Sequence, residues 1–400
     1  MPHAAQATQY AIVGLGIVHG PQPGRTRRIL AAEAARLAIV DAGLAREDID
    51  GTMDFRGGAG PGSEPNYDDA FSRMLGLPTN VHLCLTRYSP SGPAIASAMG
   101  LLDRGIANYV CVAGSWDDWS KSRENRSNGN ARSLYTVGRE GYWGKPVGEA
   151  RAVSNHVWLA ARHMAEYGTT SAQFGAIAVQ QRAWAAMNPR AATRHKPMTV
   201  EDHQNSPMIV DPYHLFDMCL VSDGAIAYII TTLDRARDLA KPPVVVKGVG
   251  CGEMVGQDWW DQTNYSQLPV RTARDQAFRQ AGIELSDIDV AELYDCFTGE
   301  VLFQLEDYGW CAKGEGGSFA ESGAIGPGGS IPVNTGGGLL SCYHLGALTP
   351  LAEGIEQVRG EAGERQVADC ELALVSGHGL ELVSPGMSSY HTTVVLGRDR

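Results

Sequence analysis

Four short segments of the chain gather the residue types that carry chemistry. Residues 290–298, VAELYDCFT, place Tyr294, Asp295 and Cys296 at the end of an apolar run. Residues 331–346, IPVNTGGGLLSCYHLG, pass through three glycines into Cys342, Tyr343 and His344. Gly337 and Gly338 in that run allow close backbone approach to a substrate or positive φ, and a histidine beside a tyrosine in a glycine-rich segment is an acid/base candidate. Residues 372–380, LALVSGHGL, end a further apolar run at Ser376, Gly377 and His378. Residues 83–102, LCLTRYSPSGPAIASAMGLL, run from a strand into a helix through Ser89-Pro90-Ser91-Gly92. A side chain there would sit at a helix N-terminus, where backbone N–H groups and the dipole favour negative charge. Two of these places have ordinary alternatives: a serine that only caps its helix, and a histidine that only bonds its neighbours.

Positioning such residues is the work of a duplicated scaffold. Residues 31–50 read AAEAARLAIVDAGLAREDID and residues 270–289 read VRTARDQAFRQAGIELSDID. Both are amphipathic helices ending in Ala-Gly-Leu/Ile, followed by a short turn and Asp-Ile-Asp before an apolar strand. Ala42 pairs with Ala281 and Asp48 with Asp287, each 239 positions apart. The glycine suits a left-handed helix C-terminus, and each Asp-Ile-Asp caps the turn into the next strand. A looser pair is YVCVAG (109–114) and LALVSG (372–377), β-rich runs that each stop at glycine. Continuous apolar strands bounded by helices predict a layered α/β fold with strands buried on both faces. The halves are expected at 1–240 and 241–400, related by pseudo-twofold symmetry, with a loop-helix insertion at about 120–220 that could cover a site. No Gly/Ser- or Pro-rich linker separates them. Strand ends at the centre of such layers are where active sites gather.

Composition narrows the class. The 400 residues are 44% hydrophobic and 20% charged, enough for a large core. A net charge of −12 argues against a general nucleic-acid binder. No run approaches the roughly 18 apolar residues of a membrane span, and residues 1–10 show no secretory pattern, so a cytoplasmic protein is expected. The 8 cysteines form no CxxC pair, which makes a zinc site within this chain unexpected.

Taken together the segments resemble the thiolase superfamily over nearly the full length, in its sterol-carrier-protein-type (lipid-transfer protein) branch. The resemblance rests on Ser91-Gly92, on DHQNSPMIVDPYHLFDMCLVSDGAIA (202–227), on LYDCFTGEVLFQLEDYGWCAKGEGG (293–317), on NTGGGLLSCYH and on SGHG. It implies a duplicated five-layer αβαβα fold, a homodimeric core and acyl-CoA substrates, with coenzyme A entering as part of the substrate. Degradative thiolases use a cysteine nucleophile, a Gly-His-Pro histidine and a second cysteine. The resemblance puts Ser89 at the nucleophile, His344 on the histidine (with Tyr343 and Leu345 for its neighbours) and Ser376 at the second cysteine. Both thiolase cysteines are therefore serines, and a serine hydroxyl needs an adjacent base that a thiolate does not.

The steroid side-chain aldolases are similar in lacking the nucleophilic cysteine. They cleave β-hydroxyacyl-CoA by retro-aldol chemistry with tyrosines moving protons. Their Tyr-Asp-x-Phe-Thr motif is matched by Tyr294-Asp295-Cys296-Phe297-Thr298, and their second tyrosine most nearly by Tyr343. The resemblance implies Tyr294 as base, with Tyr343 or His344 serving the enolate. Ser376, His378, Gly337 and Gly338 are expected against the substrate. Trp259 and Trp260 in QDWWDQTNYSQ (257–267) offer a wall for a ring-bearing acyl group, or interface packing; Trp116 and Trp119 share that choice. Two other readings stay open: an acyltransferase or thiolase with Ser89 (or Cys342 or Cys296) as nucleophile and His344 as base, and a non-catalytic acyl-CoA-binding subunit. Proteins of this branch also act with a small partner carrying a zinc ribbon and an oligonucleotide-binding-type fold, in which case the zinc belongs to the partner.

Overall fold

The computed structural model describes residues 8–56, 70–85, 91–127, 153–253, 269–379 and 390–399. The first half runs β1 (Tyr10–His19), α1 (Arg27–Ala42), β2 (Gly51–Arg56), α2 (Phe71–Leu75), β3 (Val81–Leu85), α3 (Gly92–Asp103), β4 (Val110–Asp117) and α4 (Asp118–Ser127). Then come α5 (Val153–Tyr167), α6 (Ser171–Ala186), α7 (Val200–Gln204) and the hairpin β5 (Met208–Val210) with β6 (Tyr213–His214). Strand β7 (Asp223–Thr232) and helix α8 (Leu233–Ala236) complete this half. The second half runs β8 (Val244–Glu253), α9 (Val270–Ala281), β9 (Val290–Glu292), α10 (Thr298–Tyr308) and α11 (Gly316–Glu321). A π-helical turn at Gly338–Cys342 precedes α12 (Leu348–Arg359), β10 (Leu372–Gly379) and β11 (Tyr390–Arg398).

Nine strands join in the order β3-β2-β4-β7-β1-β8-β11-β10-β9. In the first half β2 lies parallel to β3 and β4, while β7 is antiparallel to β4 and β1. In the second half β10 lies parallel to β9, and β11 is antiparallel to β10 and β8. A parallel bridge from Ala291 to Val333 stands where β3 stands beside β2. The two halves meet at a short seam, Tyr10–Ile12 against Val244–Val246. The order read outward from that seam is the same on both sides, so the duplication seen in the sequence is a pseudo-twofold in space.

The repeated residues do equivalent jobs. Gly43 and Gly282 end α1 and α9 at φ 70° and 68°. Asp48 and Asp287 close the next turn by accepting from the backbone N–H of Ala45 and Glu284, each at 2.8 Å. Asp50 then accepts from Asn108 and Tyr109 at the entry to β4, as Asp289 accepts from Glu371 and Leu372 at the entry to β10. Close helix-to-strand docking is also duplicated. A Cβ on Gly14 or Gly16 would come within 2.3 or 2.0 Å of carbonyl oxygens of α1, and one on Gly248 or Gly250 within 2.1 or 1.8 Å of those of α9.

Alternation along the strands sorts side chains into three cores. Ile226, Tyr228 and Ile230 of β7 face the middle of the molecule, where Ile95 and Ala98 of α3 pack with Leu351 and Ile355 of α12 and with Val394 and Leu396 of β11. Ala225, Ala227 and Ile229 face the other way, onto Ala34, Ala35 and Ala38 of α1. Val395 of β11 turns outward onto Phe278 of α9, in a core shared with Phe174 of α6 and Leu302 of α10. The result is α1, half-sheet, α3 with α12, half-sheet, α9 with α10: the expected five-layer thiolase fold. Both faces of the sheet are covered, which is why its strands read as unbroken apolar runs. The segment 153–217 folds over the second half. It is fastened by His163 to Glu306 at 3.0 Å, by Trp184 Nε1 to the Ile325 carbonyl at 3.0 Å and by Arg190 to Glu356 at 2.7 Å. Among the described residues no helix is long and apolar enough to cross a membrane.

Candidate active site

Tyr294 leaves β9 on a loop whose backbone is fixed from two sides. Its N–H donates to Ser376 Oγ at 2.9 Å, and its carbonyl accepts from Gln304 Nε2 at 2.8 Å. Ser376 Oγ in turn donates to Gln304 Oε1, closing a ring between the end of β10 and the first turns of α10. The fully buried Ser376 hydroxyl is thus engaged with protein on both sides; it holds Tyr294.

Asp295 ties this loop to the glycine-rich segment. Its carboxylate oxygens accept from the N–H groups of Leu339 at 2.8 Å and Leu340 at 3.2 Å, donors that the start of a helical turn otherwise leaves unsatisfied. Burial pushes the Asp295 carboxyl well above the usual carboxylate range, and those two donors oppose the shift. The glycines make room for this clasp. Gly337 and Gly338 sit at φ 94° and 60°, and a Cβ on Gly338 would lie 2.1 Å from Asp295 Oδ2. One on Gly337 would meet Ala185 of α6 at 2.6 Å. The close approach that the sequence suggested toward a substrate is here an approach of protein to protein.

A third strand of chain links the two loops. Cys219 N–H donates to the Cys296 carbonyl at 2.9 Å, Leu220 N–H to the Leu339 carbonyl at 3.0 Å, and Ser222 Oγ accepts from His344 N–H at 3.0 Å. Tyr294, Tyr343 and His344 are thereby carried on one hydrogen-bonded frame. Tyr343 is nearly buried, and its ring stacks on His19 at 5.6 Å with an interplanar angle of 23°. Burial drives its phenol pKa up, the Cys342 thiol adds to this, and the Arg190 guanidinium opposes it. At neutral pH Tyr343 is therefore protonated, suited to give a proton rather than take one.

His344 is partly exposed as a residue, yet its Nε2 is buried with no hydrogen-bond partner among the described residues. Burial lowers its pKa to about 4, so the imidazole is neutral at pH 7. The native state then binds fewer protons than the unfolded chain, whose histidine titrates near 6.5. Stability should be fully present above pH ~6.5 and should fall as pH drops toward 4, by on the order of 3 kcal/mol from this group. Urea unfolding at stepped pH checks this: His344→Gln should flatten the slope between pH 4 and 6.5.

The thiols offer little nucleophilic power. Cys296 and Cys342 are buried, and burial raises both thiols above their ordinary value, leaving them protonated at neutral pH. Helix α3 begins beside the ends of β10 and β11. Buried Ser91 has its Oγ 3.3 Å from Thr392 Oγ1, which donates to the Gly377 carbonyl at 3.3 Å, and a Cβ on Gly92 would lie 2.8 Å from Thr392 Cβ. A middle-layer helix N-terminus and the ends of β9 and β10 thus converge.

Ser89, Trp259 and Trp260 lie outside the described residues. So does the His378 side chain, although its backbone pairs with His391 in the β10–β11 ladder. Trp116 is buried against Gly346, where a Cβ would meet its ring at 2.8 Å, and serves packing. Trp119 lies under the Arg123 guanidinium at 4.3 Å. Sequence reasoning did not single out Gln304, Ser222 or Arg190, because their roles depend on backbone partners distant in the chain. Glu292 left a signal, a carboxyl ending the apolar β9 just before Tyr294, that was passed over.

Comparisons with known proteins agree with this fold. Residues 255–398 match the family model of the thiolase C-terminal domain-like group. The chain is 35% identical to a Mycobacterium tuberculosis 17-hydroxy-3-oxo-4-pregnene-20-carboxyl-CoA lyase, over 92% of this chain and 96% of that one. It is 34% identical to a Thermomonospora curvata steroid side-chain-cleaving aldolase, over 98% of both. Among solved structures, an Ltp2-ChsH2(DUF35) aldolase superposes with a TM-score of 0.84 at 30% identity, covering 98% of each chain. Human mitochondrial 3-ketoacyl-CoA thiolase superposes at 0.69 with 15% identity over 98% and 99%, a likeness of fold. With 35% and 34% identity over nearly the full length to a CoA-ester lyase and a side-chain-cleaving aldolase, and the five-layer fold in place, the chain belongs to the thiolase-like family, within its sterol-carrier-protein-2 thiolase branch.

Proposed function

We propose that the protein cleaves a carbon–carbon bond in a bulky, ring-bearing β-hydroxyacyl-CoA of the steroid side-chain type by a retro-aldol reaction. The observation that carries this is the Asp295 clasp, which puts Tyr294 on the same rigid frame as a protonated Tyr343 and a neutral His344. Tyr294 takes the β-hydroxyl proton as the bond to the α-carbon breaks. Tyr343 gives its proton to the α-carbon of the thioester enolate, and His344 Nε2 hydrogen-bonds the reacting groups. Such acid–base steps need no acyl-enzyme, in keeping with two buried, protonated cysteines. Coenzyme A enters as part of the substrate. The full-length identity to a CoA-ester lyase and a side-chain-cleaving aldolase supports the substrate class. The solved Ltp2-ChsH2(DUF35) aldolase supports a complex with a small protein of that kind. A homodimeric core and a cytoplasmic location belong to the same proposal.

The test uses the protein with any co-purifying partner, offered β-hydroxyacyl-CoA and β-ketoacyl-CoA esters with and without free CoA. Mass spectrometry should find a shortened acyl-CoA and a ketone or aldehyde formed without free CoA. Cleavage confined to β-keto esters plus CoA would overturn the reading and return Ser89 to the centre.

A further inference from the structure

Tyr343 faces more than its stacking partner. With Glu292, Glu353, Asn188, Cys342 and Thr349 it lines a cavity of about 10 Å³, room for a single water within reach of polar side chains. Glu292, at the end of β9, is 1% exposed. Its Oε1 lies 2.7 Å from Thr335 Oγ1, and the same hydroxyl lies 2.9 Å from Glu353 Oε1 while Gln357 Nε2 donates to it at 2.8 Å.

These contacts can be counted. A hydroxyl has one proton to give, yet Thr335 Oγ1 stands at hydrogen-bond distance from two carboxyl oxygens. One of those carboxyls must supply a proton of its own. Glu353 Oε1 already accepts from Arg365 Nε at 2.7 Å, the pattern of an ionised carboxylate. Thr335 therefore donates to Glu353, and Glu292 carries the second proton. Burial, and then the Glu353 charge, act in the same direction on Glu292, against the Thr335 bonds and Arg365.

We propose that Glu292 is the proton reservoir of the site, a neutral carboxylic acid that exchanges a proton with Tyr343 through one water in the cavity they share. The inference rests on Tyr343 being the proton donor to the enolate, as read above. When the Tyr343 phenol has given its proton to the α-carbon, a new C–H bond stands and a phenolate remains. The cavity water passes a proton to the phenolate oxygen as Glu292 passes its own to the water. Glu292, left as carboxylate, regains a proton from bulk water, and the proton that Tyr294 took from the substrate hydroxyl returns there. The proton count over a turnover is zero. The charged and titratable groups around this path are Glu353 and Arg365 at Glu292, and Cys342, Arg190, Glu356, Glu353 and His19 at Tyr343.

Glu292→Gln, in the complex, keeps the size and can still hydrogen-bond Thr335 but cannot give up a proton. The first turnover starts with Tyr343 already protonated and should run at the wild-type rate. Later turnovers should slow by about 10-fold or more as the reset becomes limiting, so that rapid-quench product formation shows a burst absent from wild type, with KM little changed. A purely structural role would slow both phases alike or raise KM; that outcome, or unchanged kinetics in both phases, overturns the proposal. If E292Q does not fold, Glu292→Asp carries the test. Its shorter acid lengthens the relay and should give a smaller burst, and equal rates in its two phases overturn the proposal too. Tyr343→Phe separates the two readings: a normal first turnover in that variant refutes Tyr343 as donor, whereas its loss together with a missing E292Q burst refutes only the reservoir.

Discussion

Replacing Tyr294 with Phe should lower kcat for retro-aldol cleavage by about 10²–10⁴-fold, the usual worth of a positioned acid–base group, while leaving the fold intact. The two halves of that expectation have separate physical grounds. The loss follows from removing the oxygen that accepts the β-hydroxyl proton, without which the hydroxyl cannot collapse to the carbonyl that expels the enolate. The intact fold follows from how the loop is held. Ser376 and Gln304 bind the backbone N–H and carbonyl of residue 294, not its side chain, and Asp295 keeps its clasp on Leu339 and Leu340. Turnover of a β-hydroxyacyl-CoA is measured beside urea unfolding. Activity within a few-fold of wild type would remove Tyr294 from the mechanism, and a large fall in stability would show that its ring holds the loop.

Much of this architecture was legible because the chain states it twice. Helix, glycine cap, turn aspartate and strand recur at a fixed spacing, and each copy's aspartates fall on equivalent backbone donors. Local chemistry of that kind is written in adjacent residues, so it survives in a sequence read alone. The glycines facing α1 and α9 belong to the same duplication, yet their reason lies across the helix–strand interface and had no local mark. The site shows the same division. Tyr294, Tyr343 and His344 stood out by type and neighbourhood. Ser376 also stood out, but as a group facing substrate, whereas its hydroxyl is committed to Tyr294 and Gln304. Nothing in SGHG reveals that partnership, because Gln304 lies 72 positions away. The triple glycine drew notice for what it might let near, and what comes near is Asp295. A glycine's neighbours are set by tertiary packing, and a sequence gives only the permission.

That packing makes Gly338→Ala the most disruptive small change expected in the site. Residue 338 adopts φ 60°, a conformation that costs an L-residue about 1–2 kcal/mol. The new methyl would also stand 2.1 Å from Asp295 Oδ2, well inside contact distance. Asp295 is fully buried and cannot swing to solvent. It can yield only by releasing the Leu339 and Leu340 N–H groups, and each buried donor left unpaired costs about 1–3 kcal/mol. The expected destabilisation is therefore about 3–8 kcal/mol, a large part of the 5–15 kcal/mol that a typical domain has. Where the variant stays folded, kcat should fall about 100-fold, since an ångström of displacement at Tyr343 suffices for that. A cycle with Asp295→Ala isolates the cause. Removing the carboxylate opens the space the methyl needs, so the added cost of G338A should shrink to the backbone share of about 1–2 kcal/mol in the D295A background. If the two changes simply add, the clasp does not hold the turn, and the frame joining Tyr294 to Tyr343 must be sought in the 218–222 segment instead.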